Sequence, residues 1–81
     1  MDAIALHILS PEGTLVQEAV SLVTLPGVVA PFTVLKGHAA LVTALEQGQI
    51  RYVAGDKEYR LPIREGFVEV RDNQVTVCVE Q

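Results

Sequence analysis

The sequence predicts an all-β fold, a small β-sandwich of about nine or ten short strands in two sheets. Apolar residues recur with a period of two through most of the chain, as they do on half-buried strands. Turn formers break that pattern roughly every 6–10 residues, the spacing of sandwiches and small barrels. The chain has 81 residues, 49% of them hydrophobic, which suits one domain over residues 1–81 and leaves no room for a second. A domain this small buries only roughly 60–65% of its unfolded surface. With no Trp, two Phe and two Tyr, Leu and Val must build the core.

Ile4, Leu6 and Ile8 alternate with Ala5 and His7, and Ser10-Pro11-Glu12-Gly13 closes that strand as a turn. Thr14 to Glu18 reads as a second strand and Ala19 to Leu25 as a third, stopped by Pro26-Gly27. Phe32 to Leu35 is a short strand between Pro31 and Gly37. Val42 to Leu45 follows, closed by Gln47-Gly48, although the Ala and Leu of Ala39 to Leu45 fit a helical turn equally well. In Gln49 to Val53, Ile50 and Tyr52 face one way and Arg51 the other. Ala54-Gly55-Asp56-Lys57 is a hairpin turn. Tyr59, Leu61 and Ile63 share a face, with Glu58, Arg60 and Arg64 outside, and Pro62, which lacks a ladder donor, marks an edge strand. Phe67 to Val70 pairs with Val75 to Val79 through Asp72-Asn73, where Asn accepts the left-handed backbone of a tight hairpin.

Several classes of function are excluded. Six Lys and Arg against ten Asp and Glu give a net charge of −4, so the chain lacks the basic patch that binds nucleic acid by counterion release. Cys78 is the one cysteine, which excludes a disulfide framework and suits a reducing compartment. Its phase, opposite to Val77 and Val79, predicts a packed or half-buried thiol. No apolar run approaches the roughly 18–20 residues of a membrane span, and Met1-Asp2-Ala3-Ile4 lacks the basic start of a signal peptide; a soluble, cytosolic protein is expected. His7, His38 and Cys78 lie at no metal-ligand spacing, so no metal and no other cofactor is expected. The six glycines sit singly at turns rather than in a phosphate-cradling loop. Glu65, Glu69 and Asp72 read as a solvated face, without the contrasting surroundings that acid–base catalysis uses. Neither a catalytic residue nor a direct small-molecule substrate is expected.

The informative stretch is Leu25 to Leu45, which is rich in turn formers, strongly apolar and holds one histidine. An apolar loop of this kind suggests a surface that docks another protein. Within it His38 reads as a loop histidine bonded to backbone, or as a phosphoryl acceptor of the kind found in small phosphocarriers, although no helix terminus or basic site for phosphate lies nearby. Lys57, at a hairpin tip, reads as a solvated turn residue or as the modified lysine of a biotinyl or lipoyl carrier domain, whose motif it matches only at Asp56-Lys57.

Four segments, in order, resemble the N-terminal β-sandwich domain of the epsilon subunit of F-type ATP synthases (delta in mitochondria). Leu6 to Thr14, with Ser10-Pro11-Glu12-Gly13-Thr14, resembles the first strand and its Thr/Ser-Pro-Glu-Gly turn. Pro26-Gly27, Phe32, Val34-Leu35 and Gly37-His38-Ala39 resemble the family loop Pro-Gly…Gly-x-Phe-Gly-Val-Leu-Pro-Gly-His-Ala-Pro-Leu. Leu41-Val42-Thr43-Ala44-Leu45 with Gly48 resembles the Leu-Leu-Thr-x-Leu…Gly that follows. Gly66-Phe67-Val68-Glu69-Val70 and Asn73-Gln74-Val75-Thr76-Val77 resemble the closing Gly-Phe-Val-Glu-Val and Asn-x-Val-Thr-Val. The sequence departs from the family in or beside the loop: Ala30 and Thr33 replace glycines, Lys36 and Ala40 replace prolines, and Pro31 stands where some members are acidic.

The resemblance implies a non-catalytic subunit at the foot of the rotating central stalk of a proton-translocating ATP synthase. One surface would grip the gamma subunit, and the Gly-His-Ala end would rest on the membrane c-ring, coupling proton flow to ATP synthesis in the alpha/beta hexamer, which it touches only indirectly. Pro31, Phe32, Val34, Leu35, Lys36 and His38 are the expected ring contacts. The expected location is the cytoplasmic face of a bacterial inner membrane, as a peripheral subunit. Family members continue into a helical hairpin that inhibits hydrolysis in many and binds ATP in some. The sequence ends at Val79-Glu80-Gln81, so a sandwich-only form that does neither is expected.

Overall fold

The computed structural model describes residues 2–81. The period-two segments become nine strands: β1 (Ile4–Ser10), β2 (Gly13–Val20), β3 (Leu22–Leu25), β4 (Phe32–Val34), β5 (Leu41–Leu45), β6 (Gly48–Ala54), β7 (Lys57–Ile63), β8 (Glu65–Arg71) and β9 (Gln74–Glu80). No helix of the described residues is long and apolar enough to cross a membrane. The ambiguous Ala39 to Leu45 resolves as strand from Leu41 onward. Leu41, Thr43 and Leu45 lie opposite Val70, Val68 and Gly66 of β8, and this pairing overrides the local helical preference of Ala and Leu.

Ala19 to Leu25, expected as one strand, is two. Ala19 and Val20 finish β2, and Ser21 carries the chain from one sheet to the other. Its N–H and its hydroxyl both donate to the Val53 carbonyl, at 2.9 and 3.4 Å. That carbonyl belongs to β6, so the serine fixes the crossover where the two sheets begin to overlap.

One sheet runs β2-β1-β9-β8-β5 and the other β4-β3-β6-β7. Every neighbouring pair is antiparallel except β1 and β9, which run parallel. A bulge at Leu15, where the register slips between Ile8 and Leu9, bends the outer part of β2. Pro62 lies in β7, an edge strand, where its missing N–H breaks no ladder.

Alternation places Leu6, Ile8, Val68, Val75 and Val77 of the first sheet against Val23, Leu25, Val34 and Ile50 of the second, all almost wholly buried. Among the described residues no polar or charged side chain is buried. The core is aliphatic, and Tyr52 is the one aromatic ring in it. Burial along β7 is graded: Ile63 is buried, Leu61 half-buried and Tyr59 exposed. Tyr59 therefore shares the expected face but sits at the open margin, stacked on Tyr52 with ring centroids 5.2 Å apart.

The tightest backbone approach lies between β8 and β9. A side chain on Gly66 would run into the Cys78 carbonyl oxygen and lie 3.2 Å from Val79 Cα. Backbone on both sides leaves nothing free to yield. Gly66→Ala is expected to destabilise the fold by about 1–3 kcal/mol, seen as a lower urea midpoint.

Tyr52 supplies a pH dependence. Burial, then the Glu18 carboxylate, then Tyr59 raise its pKa above the ordinary 10.0. Below that value the folded and unfolded chains both keep the phenolic proton, so the contribution of Tyr52 to stability is complete. Above it the unfolded chain ionises first, and stability falls as pH rises towards the folded pKa. Urea midpoints between about pH 9 and pH 11 should fall less steeply in Tyr52→Phe than in the parent.

Candidate functional site

The outward half of each strand distinguishes the two sheets. On the four-stranded sheet a polar chain crosses every strand. The Thr33 and Thr24 hydroxyls lie 2.9 Å apart, Arg51 donates to Thr24 at 3.3 Å, and Glu58 pairs with Arg51 at 3.7 Å and with Arg60 at 2.8 Å. Exposed pairs like these add about 0–1 kcal/mol each. They do make this face polar.

The outer face of the five-stranded sheet is different. Leu9 lies opposite Cys78, Cys78 opposite Phe67, and Phe67 opposite Ala44. Val42 is on the same face of β5, two residues before Ala44. Phe67 is 53% exposed and Val42 71%, although each is a side chain that folding alone would bury. Beside them Leu9, Pro11, Phe67 and Cys78 line an open groove of about 450 Å³. Cys78 is half-buried there, as its phase predicts.

The Leu25 to Leu45 stretch forms the side wall that carries β4 and β5, an edge strand of each sheet. Pro26-Gly27-Val28 is stitched to β5: Gly27 bridges Leu45, the Val28 N–H donates to the Ala44 carbonyl at 3.1 Å, and the Glu46 N–H donates to the Pro26 carbonyl at 2.9 Å. The turn beyond these bonds projects. Val28 is 49% exposed and Val29 93%. After β4, the His38 N–H closes a turn on the Leu35 carbonyl at 3.1 Å, with Gly37 at φ 83 in its third position, where a type II turn needs a positive φ.

The six residues expected to contact one partner do not make one patch. Pro31 is exposed where the first turn enters β4, and Leu35 and Lys36 are exposed beyond its far end. Phe32 and His38 lie between, both half-buried, with ring centroids 6.4 Å apart. His38 Nδ1 donates to the Ala39 carbonyl at 2.7 Å, which fits the backbone-bonded reading of this residue. Val34 is 1% exposed and belongs to the core. In β4 the alternation sends Thr33 outward and Val34 between the sheets, so Val34 presents no side chain to a partner. Lys57 is the first residue of β7, paired with Ala54, and is exposed. Sequence reasoning missed the patch around Phe67, whose signal was its phase: with Val68 and Val70 inside, Phe67 must point out.

The β-sandwich domain of the ATP synthase delta/epsilon chain matches residues 3–81. The chain is 43% identical over 75 residues to the ATP synthase epsilon chain of Lawsonia intracellularis, covering 93% of this chain and 56% of that one. It is 38% identical over 76 residues to that of Magnetococcus marinus, covering 94% and 56%. Thus it spans a little over half the length of these curated relatives. Among solved structures it is similar to a chain of the Euglena gracilis mitochondrial ATP synthase OSCP/F1/c-ring assembly, with a TM-score of 0.90, 26% identity and coverage of 100% and 52%. A chain of the Tetrahymena thermophila mitochondrial ATP synthase central stalk/c-ring assembly shares the fold, with a TM-score of 0.82, 16% identity and coverage of 98% and 64%. By sequence and by fold, this chain belongs to the delta/epsilon family of ATP synthase subunits, as its β-sandwich domain.

Proposed function

We propose that this chain is a rotor subunit of a proton-translocating ATP synthase, a non-catalytic coupler between the gamma subunit and the c-ring. The observation that carries this is the exposure of apolar side chains on more than one flank of one small sandwich. Val28 and Val29 project beside β5, Leu35 stands beyond the far end of β4, and Val42, Phe67, Cys78 and Leu9 share the outer face of the larger sheet. Exposed apolar clusters of this kind mark protein contacts. The flatter face with its groove suits the broad flank of the gamma subunit. The projecting turn suits the loops at the top of a ring of membrane subunits. The alpha/beta hexamer is reached through gamma. The subunit then lies peripherally at the cytoplasmic face of a bacterial plasma membrane.

The work needs packed contact and stiffness rather than bond chemistry. Membership of the ATP synthase family favours this reading over a carrier domain modified on Lys57. Capture with tagged protein from source membranes in mild detergent tests it. Recovery of gamma, alpha, beta and ring subunits is expected. Recovery of none, or added mass on Lys57 or His38, overturns the reading.

Two substitutions separate the surfaces. Phe67→Asp should weaken capture of gamma by about thirtyfold or more, as loss of a central aromatic anchor does. Val29→Asp should lose the ring while gamma is retained, with folding stability within about 0.5 kcal/mol of the parent because the side chain is solvated. Capture followed by subunit-resolved mass spectrometry reads both.

A further inference from the structure

The structure assigns Asn73 as a positioning residue for the Leu35–His38 turn; its effect on docking rests on the stalk reading above. Asp72 and Asn73 have φ 52 and 60, the two positive values that a tight two-residue hairpin demands. Turn formation alone leaves the carboxamide with no task. Here its Oδ1 accepts the Gly37 N–H at 2.7 Å, across 36 positions of sequence. The Asn73 carbonyl also accepts the Ala5 N–H at 2.9 Å, so the group that holds Gly37 is itself fixed to β1.

The segment between β4 and β5 has few other restraints. The His38 N–H bond to Leu35 and the His38 ring bond to Ala39 are both internal to it. Among the described residues, the Asn73–Gly37 bond is the one hydrogen bond that joins positions 35–40 to the rest of the fold. Without it the segment keeps its turn but loses its hydrogen bond to the rest of the fold. Leu35 is 55% exposed and Lys36 is solvated beside it, so packing does not place these two; the packing contact of the turn is the His38 ring near Phe32, at its other end.

Asn73 meets two requirements, tolerance of a left-handed backbone and a short acceptor. Gly keeps the first and loses the second, and Asp keeps both. Asn73→Gly should fold with an unchanged urea midpoint, because Asp-Gly favours this hairpin. Its Gly37 amide should exchange with solvent roughly two- to tenfold faster, and its capture of ring subunits should weaken by a similar factor, the range for one lost neutral hydrogen bond. Capture of gamma through the Phe67 face should not change. Asn73→Asp should restore both the slow exchange and the ring capture. Unchanged Gly37 exchange in Asn73→Gly, or an Asn73→Asp variant as impaired as Asn73→Gly, overturns the assignment. Faster exchange with undiminished ring capture overturns its role in docking. A parent protein that captures no ring subunit overturns the stalk reading and its docking role, while Gly37 exchange still judges the tether.

Discussion

Everything in this sandwich depends on a single aliphatic layer that two sheets share. With no polar side chain buried among the described residues, the interior offers no ion pair or hydrogen bond to specify it. Shape and alternation alone hold the sheets in register. A slip of one residue in any strand would turn its apolar set to water, so each strand's phase is fixed by the core. Once that phase is fixed, the outward residues are fixed too. On β6 and β7 they are Arg51, Glu58 and Arg60; on β5 and β8 they are Val42, Ala44, Phe67 and Glu69. The core thereby decides which residues each sheet turns outward.

The same layer makes the two exposed surfaces parts of one stiff body. The side wall is stitched to β5 by backbone bonds at Gly27, Val28 and Glu46, and β5 is hydrogen-bonded to β8, which carries Phe67. A load applied at the Val28–Val29 turn reaches the outer face through ladder hydrogen bonds rather than through a flexible linker. Close packing resists compression, which is the mechanical property that the proposed coupling role would use. Neither phenylalanine is fully buried: Phe67 is exposed, and Phe32 is half-buried and packs against the margin of the core.

The fold class was legible because strand alternation is local. Ile4-Ala5-Leu6-His7-Ile8 reads as a half-buried strand without reference to anything else, and Asp72-Asn73 reads as a hairpin from turn chemistry alone. The break at Ser21 was not legible, since it is set by the Val53 carbonyl 32 residues away. The strand character of Leu41 to Leu45 likewise comes from β8. Within the site, the apolar excess of the loop was visible but its division was not. Val34 and Leu35 are adjacent and similar in character, yet one is core and the other surface. Only the register of β4 against β3 separates them. Asn73 was recognised as a turn former, while its second bond joins segments far apart in sequence and leaves no local trace.

The parallel pairing of β1 and β9 at the centre of the larger sheet has a consequence for how the protein comes into being. During synthesis the first strand emerges early and stays unpaired on one side until the ninth has been made. The hairpin of β1 and β2 therefore waits, with Leu6 and Ile8 uncovered, while some sixty residues are added. Non-local closures of this kind are slow, and exposed apolar strands are the species that associate wrongly. The sandwich is most vulnerable just before the ninth strand arrives, and the pairing of that strand seals both the middle of the sheet and the core beneath it.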